Sequence, residues 1–418
     1  EKFSKENRFA FFNSGAIGWM VSEEPFMKFL KERRILDMLK IRASYGEIGD
    51  DNVKTRWLYM NQWAYGGTSS LDVDRGESPY TWYRESAVGN SDVHWEKVKK
   101  LNFGIDYSFL DGLFAGSVEV FRDKRTDILV GGSDRAIPST AVTANLGKVR
   151  TKGYELELRI NKTFSNKMRV WANMSMTHAE NKILEKDDAP LLAGYQKVAG
   201  YAIGQNKAYI DNGYLNSYDD VIGSPQHDTN NSQRLPGDYY IVDFNGDGVV
   251  DSKDQAPYGY SDTPQNTYNA TLGFEWKGFS AFVQFYGVNN VTRVVQLTSF
   301  GSQMNTVYDQ GSWWSEAGDA ADVVTPRWLS KVSGYSNGTQ YYYDGSYIRL
   351  KNAEIAYTFT DGWVRKLGVK NLKIYLNGNN LWVWSKMPDD RESNFAGSGN
   401  QGAYPTVKRF NLGVKFTL

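Results

Sequence analysis

The chain has 418 residues, and its 48 Lys plus Arg balance 48 Asp plus Glu, so no net field draws it toward nucleic acid. With no cysteine, disulfide frameworks and thiol catalysis are excluded. No apolar run approaches the ~20 residues of a membrane helix, whereas 40 Gly, 27 Tyr and 13 Trp suit a protein of many strands and turns.

The first ninety residues contain two strand signals, one helical signal and one polar stretch. Residues 9–19 are rich in aromatic side chains and predict a strand. In Glu23–Arg34 the apolar residues recur at helical spacing, which predicts a short helix or turn. Alternation predicts a strand over Leu39–Tyr45, and the polar residues Asp50–Asp92 predict an exposed loop.

Four hairpins of regular alternation follow, and each strand has one apolar face. Asp111-Gly112 is a strong hairpin-turn signal in the first of them. The hairpins and a final single strand cover residues 101–120, 154–177, 267–288, 347–384 and 410–418.

Short and long connections alternate along this series. Turns within hairpins take a few residues, whereas the connections between hairpins are long, at 124–148, 180–266, 289–345 and 385–405. A soluble sandwich or propeller also alternates apolar and polar residues, but it has no reason to place every long loop at one end. An outer-membrane barrel does have such a reason, because its short turns are periplasmic and its long loops are extracellular. The pattern predicts an all-β chain from a large antiparallel transmembrane β-barrel with long extracellular loops.

Alternation alone does not say whether the apolar face points inward or outward. The opposite face carries charged side chains, which fit a water-filled lumen. These are Glu155, Glu157, Arg159, Glu275 and Lys415.

An acidic loop precedes the third hairpin and has the spacing of a calcium-binding loop. Gly248 stands where such a loop must turn. The predicted ligands are Asp243, Asn245, Asp247, the Val249 carbonyl, Asp251 and Asp254. The alternative is a loop rich in Asx turns that holds no metal.

A group of aromatic residues lies between the third and fourth hairpins. Aromatic faces stack on sugar rings and pack at protein interfaces, so these residues are candidate contacts for a substrate or a lid protein. The alternative is that they pack their own loop. The residues are Trp313, Trp314, Trp328, Tyr341, Tyr342 and Tyr343.

The sequence contains no recognisable enzyme motif. The three histidines are scattered without ligand spacing, and no nucleophile elbow is present, so we assign no catalytic residue. The alternative to a barrel is a secreted all-β glycan-binding protein or glycosidase with a calcium loop.

Several segments together resemble the C-terminal barrel half of the SusC/RagA family of TonB-dependent outer-membrane transporters. Their order and spacing carry the resemblance. They read FFNSGAIGWMVSEEPFMK, LDMLKIRASYGEIGDDNV, WEKVKKLNFGIDYSFLDGLFAGSVEVFRDKRTDIL, NLGKVRTKGYELEL, DFNGDGVVDSKD, WKGFSAFVQFYG, DGSYIRLKNAEIAYTF, IYLNGNNLWVWSK and RFNLGVKFTL.

The resemblance implies a barrel of about 22 strands when complete. We count eleven to thirteen, so residues 1–418 are expected to be its C-terminal portion, without the signal peptide, TonB-binding segment, plug and first strands. It further implies import of an oligosaccharide or peptide across the cell outer membrane. The implied partners are a SusD-like lipoprotein lid, outer-membrane lipid, the missing N-terminal barrel and plug, and the TonB complex acting through that missing part.

Overall fold

In the computed structural model the chain is built around one antiparallel sheet of eleven strands. The structure describes residues 2–52, 56–69, 80–131, 142–227, 231, 234–294, 338–360, 362–366, 368–387 and 406–417. In chain order the strands are β1 (Ser14–Met20), β2 (Leu36–Asp50), β3 (Gln62–Ser69), β4 (Tyr80–Ala87), β5 (Glu96–Phe109), β6 (Phe114–Gly131), β7 (Thr143–Thr163), β8 (Arg169–Glu185), β9 (Lys207–Tyr209), β10 (Asp211–Tyr214), β11 (Tyr239–Ile241), β12 (Gln255–Pro257), β13 (Asn266–Trp276), β14 (Phe279–Asn289), β15 (Thr292–Val294), β16 (Tyr342–Asp344), β17 (Tyr347–Phe359), β18 (Asn371–Ser385) and β19 (Arg409–Thr417).

Helices are short and lie in the connections. They are α1 (Lys28–Glu32), α2 (Tyr218–Gly223) and α3 (Gly362–Lys366), with 3-10 turns at Val21–Glu23, Pro25–Met27, Ser252–Asp254 and Thr339–Tyr341. In the described part of the chain, none of them has the length and apolar character needed to cross a membrane. The predicted helix or turn over 23–34 is confirmed.

The large sheet is a meander in which each long strand pairs with the next. Its order is β1-β2-β5-β6-β7-β8-β13-β14-β17-β18-β19, so the four predicted hairpins and the final strand are confirmed. The strands outside it form small two-stranded sheets within the long connections: β3 with β4, β9 with β12, β10 with β11, and β15 with β16. The short turns therefore all lie at one end of the sheet, and the long connections all start and finish at the other end.

The tight turn between β13 and β14 shows why the hairpins close as the sequence predicts. Lys277 and Gly278 have φ angles of 46° and 85°, as a two-residue hairpin turn requires. A Cβ on Gly278 would lie 2.7 Å from the Thr358 carbonyl oxygen of the neighbouring strand β17. Both the backbone conformation and the close approach select glycine.

Two strands are much longer than predicted. β6 has 18 residues and β7 has 21, whereas a bilayer needs ~9–11 residues of tilted strand. The excess lies on the side of the long connections. The loop predicted at 124–148 is therefore largely strand and shortens to 132–142.

The prediction of an exposed loop over Asp50–Asp92 is wrong in part, because β3 and β4 pair within it. Trp63, Tyr65 and Tyr83 remain 59–66% exposed in this hairpin. Since neither face is buried, the sequence had no alternation of polar and apolar residues to reveal the two strands.

Candidate functional site

One face of the large sheet is apolar and yet exposed. Leu101, Val120, Ile355 and Leu412 are 53%, 50%, 49% and 77% exposed. In a soluble sandwich these side chains would be buried against a second sheet. Charged side chains do not face hydrocarbon, so in an outer-membrane barrel the apolar face points outward to lipid and the polar face points into the lumen.

Aromatic side chains mark both ends of the apolar face. Trp276, Phe279 and Trp363 lie at the end with the short turns, and Trp382 and Trp384 lie at the other end. Roughly ten residues of β18 separate the two levels, which is ~33 Å along a tilted strand. This spacing matches the two aromatic girdles of a membrane barrel.

A charged network occupies the polar face across β2, β5 and β6. The Arg42 guanidinium donates to the Asp106 carboxylate, at 3.2 Å from Nε, and also to Glu119. Glu119 accepts a second hydrogen bond from Asn102, at 2.9 Å. The Arg42 side chain passes over Gly104, where a Cβ would lie 2.8 Å from its Cζ. The network therefore needs glycine between its cation and Glu119.

A row of side-chain amides continues the polar face across β13, β14, β17 and β18. Asn379 donates to Asn352, Asn352 donates to Gln284, and Gln284 donates to Asn269 at 3.1 Å. Amides offer donors and acceptors without charge. This part of the face can hydrogen-bond hydroxyl and peptide groups alike.

The charged residues predicted to face the lumen lie on this polar face. Arg159 pairs with Glu157 at 3.2 Å, and Arg169 pairs with Glu275 at 3.5 Å. The register also aligns Glu155 with Glu119 of the neighbouring strand. Because these pairs are exposed, each contributes little to stability and leaves the wall hydrated.

The acidic loop is held by hydrogen bonds from its own backbone. Asp243 accepts from the N–H groups of Gly246 and Gly248, at 2.7 and 2.6 Å. Desolvation opposes ionisation of Asp243, but these backbone donors outweigh it and hold its pKa below the usual value. Asp254, fully buried, accepts from Phe244, Asn245 and Asp251 at 2.7–3.1 Å.

The other acidic side chains of this loop are also engaged. Asp247 accepts from the Val249 N–H at 3.0 Å, and Asp251 accepts from the Lys253 N–H and pairs with its Nζ at 3.1 Å. Among the residues that the structure describes, no group of three or more His, Asp or Glu has an arrangement that would hold a metal ion. This conformation is that of the Asx-turn alternative, and calcium binding stays a prediction.

Removing the Asp254 carboxylate tests what holds the loop. In Asp254→Ala three partly buried backbone N–H groups lose their acceptor, and each costs about 1–3 kcal/mol only where water does not replace the carboxylate. We expect limited proteolysis within residues 243–254 to become at least tenfold faster. Asp219→Ala, an exposed acid in the first turn of α2, is the matched control and should cleave at the wild-type rate.

The same assay decides the calcium prediction. If the loop binds calcium, a chelator will speed cleavage of the wild-type loop and calcium will restore resistance. Equal cleavage rates with and without chelator would contradict the prediction and leave the hydrogen bonds as the only support.

The predicted aromatic contacts fall into two groups. Trp313, Trp314 and Trp328 lie outside the described residues. Tyr341 is only 5% exposed and packs against Tyr239, so it fills the loop's interior. Tyr342 donates to the Lys207 carbonyl oxygen at 3.2 Å, and Tyr343 pairs with Arg293 across β15 and β16. This placement favours the packing role for Tyr341, and contact with substrate or lid by the others stays a prediction.

A folded body that the sequence did not predict lies within the long connection after β8. Its core consists of Tyr214, Tyr239, Ile241 and Val250 together with Tyr341. Burial raises the pKa of Tyr239 and keeps its hydroxyl protonated. A capping box at Ser217 and Asp220 starts α2 and was a readable signal in the sequence.

Comparison with known proteins identifies what this wall is similar to. Residues 10–381 match the family model described as TonB dependent receptor-like, beta-barrel. TonB-dependent receptor P3 of Formosa agariphila is 26% identical, over 99% of this chain and 42% of that protein. TonB-dependent receptor SusC of Bacteroides thetaiotaomicron is also 26% identical, over 99% of this chain and 40% of that protein.

Solved structures with the same fold include the RagAB peptide transporter. One of its chains superposes with a TM-score of 0.74 at 18% identity, covering 99% of this chain and 44% of that one. At this identity the likeness shows the fold alone. The chain spans about two fifths of the length of the curated relatives named above.

Proposed function

The chain belongs to the TonB dependent receptor-like β-barrel family, whose members lie in the outer membrane, and from this premise we propose that it forms eleven strands of the wall of an active importer. The observation that carries the proposal is the two-faced sheet. Its apolar side chains are exposed outward, while charged and amide groups cover the inner face. The family assignment replaces the alternative of a secreted glycan-binding protein or glycosidase.

The remaining strands, the plug and the TonB-binding segment are part of this proposal. β1 and β19 are the two edges of the described sheet, and an unpaired strand edge does not persist in lipid. We propose that further strands of the full-length protein pair with both edges. Energy coupling through TonB then acts on segments outside these 418 residues.

We propose glycans or peptides as the substrate class, with a SusD-like lipoprotein as the lid. The likeness to SusC and to the chain of a peptide transporter supports this choice. The inner face supports it too, because its amide row can hydrogen-bond sugar hydroxyls or peptide groups without demanding a charge. The folded loop body at the long-loop end offers a platform for the lid.

Uptake by whole cells tests the proposed function. Cells with the full-length protein should accumulate a labelled oligosaccharide or peptide, and deletion of either the receptor gene or tonB should abolish accumulation. The matched control is a variant with an intact barrel and no TonB-binding segment, which should reach the outer membrane and fail to import. Undiminished uptake without TonB, or recovery of the protein in the soluble fraction without detergent, would overturn the proposal.

A further inference from the structure

A row of four cations crosses the outward face of the sheet. The register pairs Lys99 with Lys124, Lys124 with Arg150, and Arg150 with Lys182, on β5, β6, β7 and β8. Side chains directly opposite on neighbouring strands are ~5 Å apart at Cβ, and like charges in such pairs are destabilising. Four in succession make a surface that attracts anions.

Within the described residues, only one of these four cations forms a salt bridge with a carboxylate. Lys99 pairs with Glu47 at 3.3 Å, while Lys124, Arg150 and Lys182 form no salt bridge with a described residue. Solvated surfaces intersperse both signs of charge. This row does not, although the chain as a whole is neutral.

The row lies next to the lipid-facing surface. Two residues along each strand, toward the short turns, the register aligns Leu101, Arg122, Lys152 and Glu180. Two further residues along, it aligns Phe103, Val120, Tyr154 and His178. The surface thus changes from apolar to cationic within ~13 Å of strand. We call Lys99, Arg122, Lys124, Arg150, Lys152 and Lys182 the outer basic band.

The outer basic band lies on the extracellular side of the membrane. It lies toward the long connections, whereas the turn at residues 110–113 closes the opposite end of the same strands. In outer-membrane barrels the short turns are periplasmic and the long loops extracellular. The outer basic band is therefore level with the headgroups of the outer leaflet.

A groove on the outward face runs between the apolar surface and the outer basic band. It has a volume of about 470 Å³, and its lining includes Leu101, Phe103, Val120 and Tyr154 together with two cations and one acid, Arg122, Lys152 and Glu180. An acyl chain fits the apolar part, and an anionic headgroup fits the cationic rim. Lys152 also pairs with Glu180 at 2.6 Å, which leaves Arg122 without a carboxylate partner among the described residues.

We propose that the outer basic band binds the phosphate groups of a phosphorylated lipid of the outer leaflet, whose acyl chain occupies this groove. The band contacts the lipid from outside the barrel and takes no part in import. The inference rests on the outer-membrane location of the family and is independent of the proposed substrate.

Lipid binding to the purified full-length protein in detergent tests the proposal. The probe is diphosphoryl lipid A, with its dephosphorylated form as the second arm, and native mass spectrometry gives the dissociation constant. The triple variant K124Q/R150Q/K182Q should weaken diphosphoryl lipid binding roughly 100-fold, at about fivefold for each cation near a charged surface. Binding of the dephosphorylated lipid should not change.

A matched triple variant controls for net charge. K162Q/K167Q/K277Q removes three cations at the short-turn end and should change the dissociation constant less than about twofold. A heat-modifiable gel shift confirms that each variant is folded. Equal lipid binding by both triples would overturn the proposal, and so would loss of lipoprotein binding with lipid binding intact, which would make the band a protein interface.

Discussion

Leu272→Arg in the full-length protein should destabilise the protein folded in a bilayer by about 2–4 kcal/mol, that is, lower its free energy of unfolding by that amount. Leu272 lies near the middle of β13 on the outward face, between Ala172 and Val283 of the neighbouring strands. An Arg at that depth must bring its charge into hydrocarbon or distort the bilayer. The measurement is a urea titration of folding into lipid vesicles, followed by the heat-modifiable gel shift.

Thr271→Arg is the matched control, because it puts the same charge one residue away on the opposite face. Thr271 lies beside Gln284 and Asn173 on the polar side, where the guanidinium stays in water. We expect a change of less than about 1 kcal/mol. If the two substitutions had equal effects, the assignment of the apolar face to lipid would fail.

Gly153→Ala is expected to have a comparably large effect through a different cause. A Cβ at residue 153 would lie 1.9 Å from the His178 carbonyl oxygen and 2.7 Å from the Phe121 ring. The carbonyl belongs to the backbone of β8, so relief requires β7 and β8 to separate locally. Overpacking of this kind costs about 1–3 kcal/mol or more, and the same urea titration measures it.

Gly15→Ala is the control for that substitution. Gly15 also lies in a strand, β1, but a Cβ there would meet no atom within 4 Å. Because Ala also restricts the unfolded chain, this change should be neutral or slightly stabilising. A loss of stability equal to that of Gly153→Ala would show that any side chain in place of glycine disturbs the wall, and would remove the argument from close approach.

The strands of the wall could be predicted from the sequence because they alternate strictly. In β13 the residues Tyr268, Leu272 and Trp276 share one face, and Asn269 and Glu275 share the other. A period of two is a local property of the chain. The acidic loop was visible in the same way, since its oxygen-bearing side chains recur at alternate positions.

The hairpin of β3 and β4 and the body around Tyr239 lacked such a signal. Tyr239 is buried by Tyr214 and Tyr341, and Tyr341 lies about a hundred residues away along the chain. A contact between residues so far apart in the sequence produces no repeating pattern in the residues around either of them. The same holds for the outer basic band, whose members are unremarkable singly and meet only through the register of four strands.

The sequence by itself determined the paired strands of the wall, where their tight turns fall and that each of these strands has two chemically different faces. Only the tertiary structure decided which face meets lipid, because alternation is the same for an apolar face turned inward or outward. Leu101 and Phe103 remain exposed on one face of the wide sheet while the charged pairs line the other, and a barrel in lipid turns its apolar face outward. The structure also turned the carboxylates of the acidic loop onto backbone N–H groups, since the direction of a side chain depends on the fold of the whole loop.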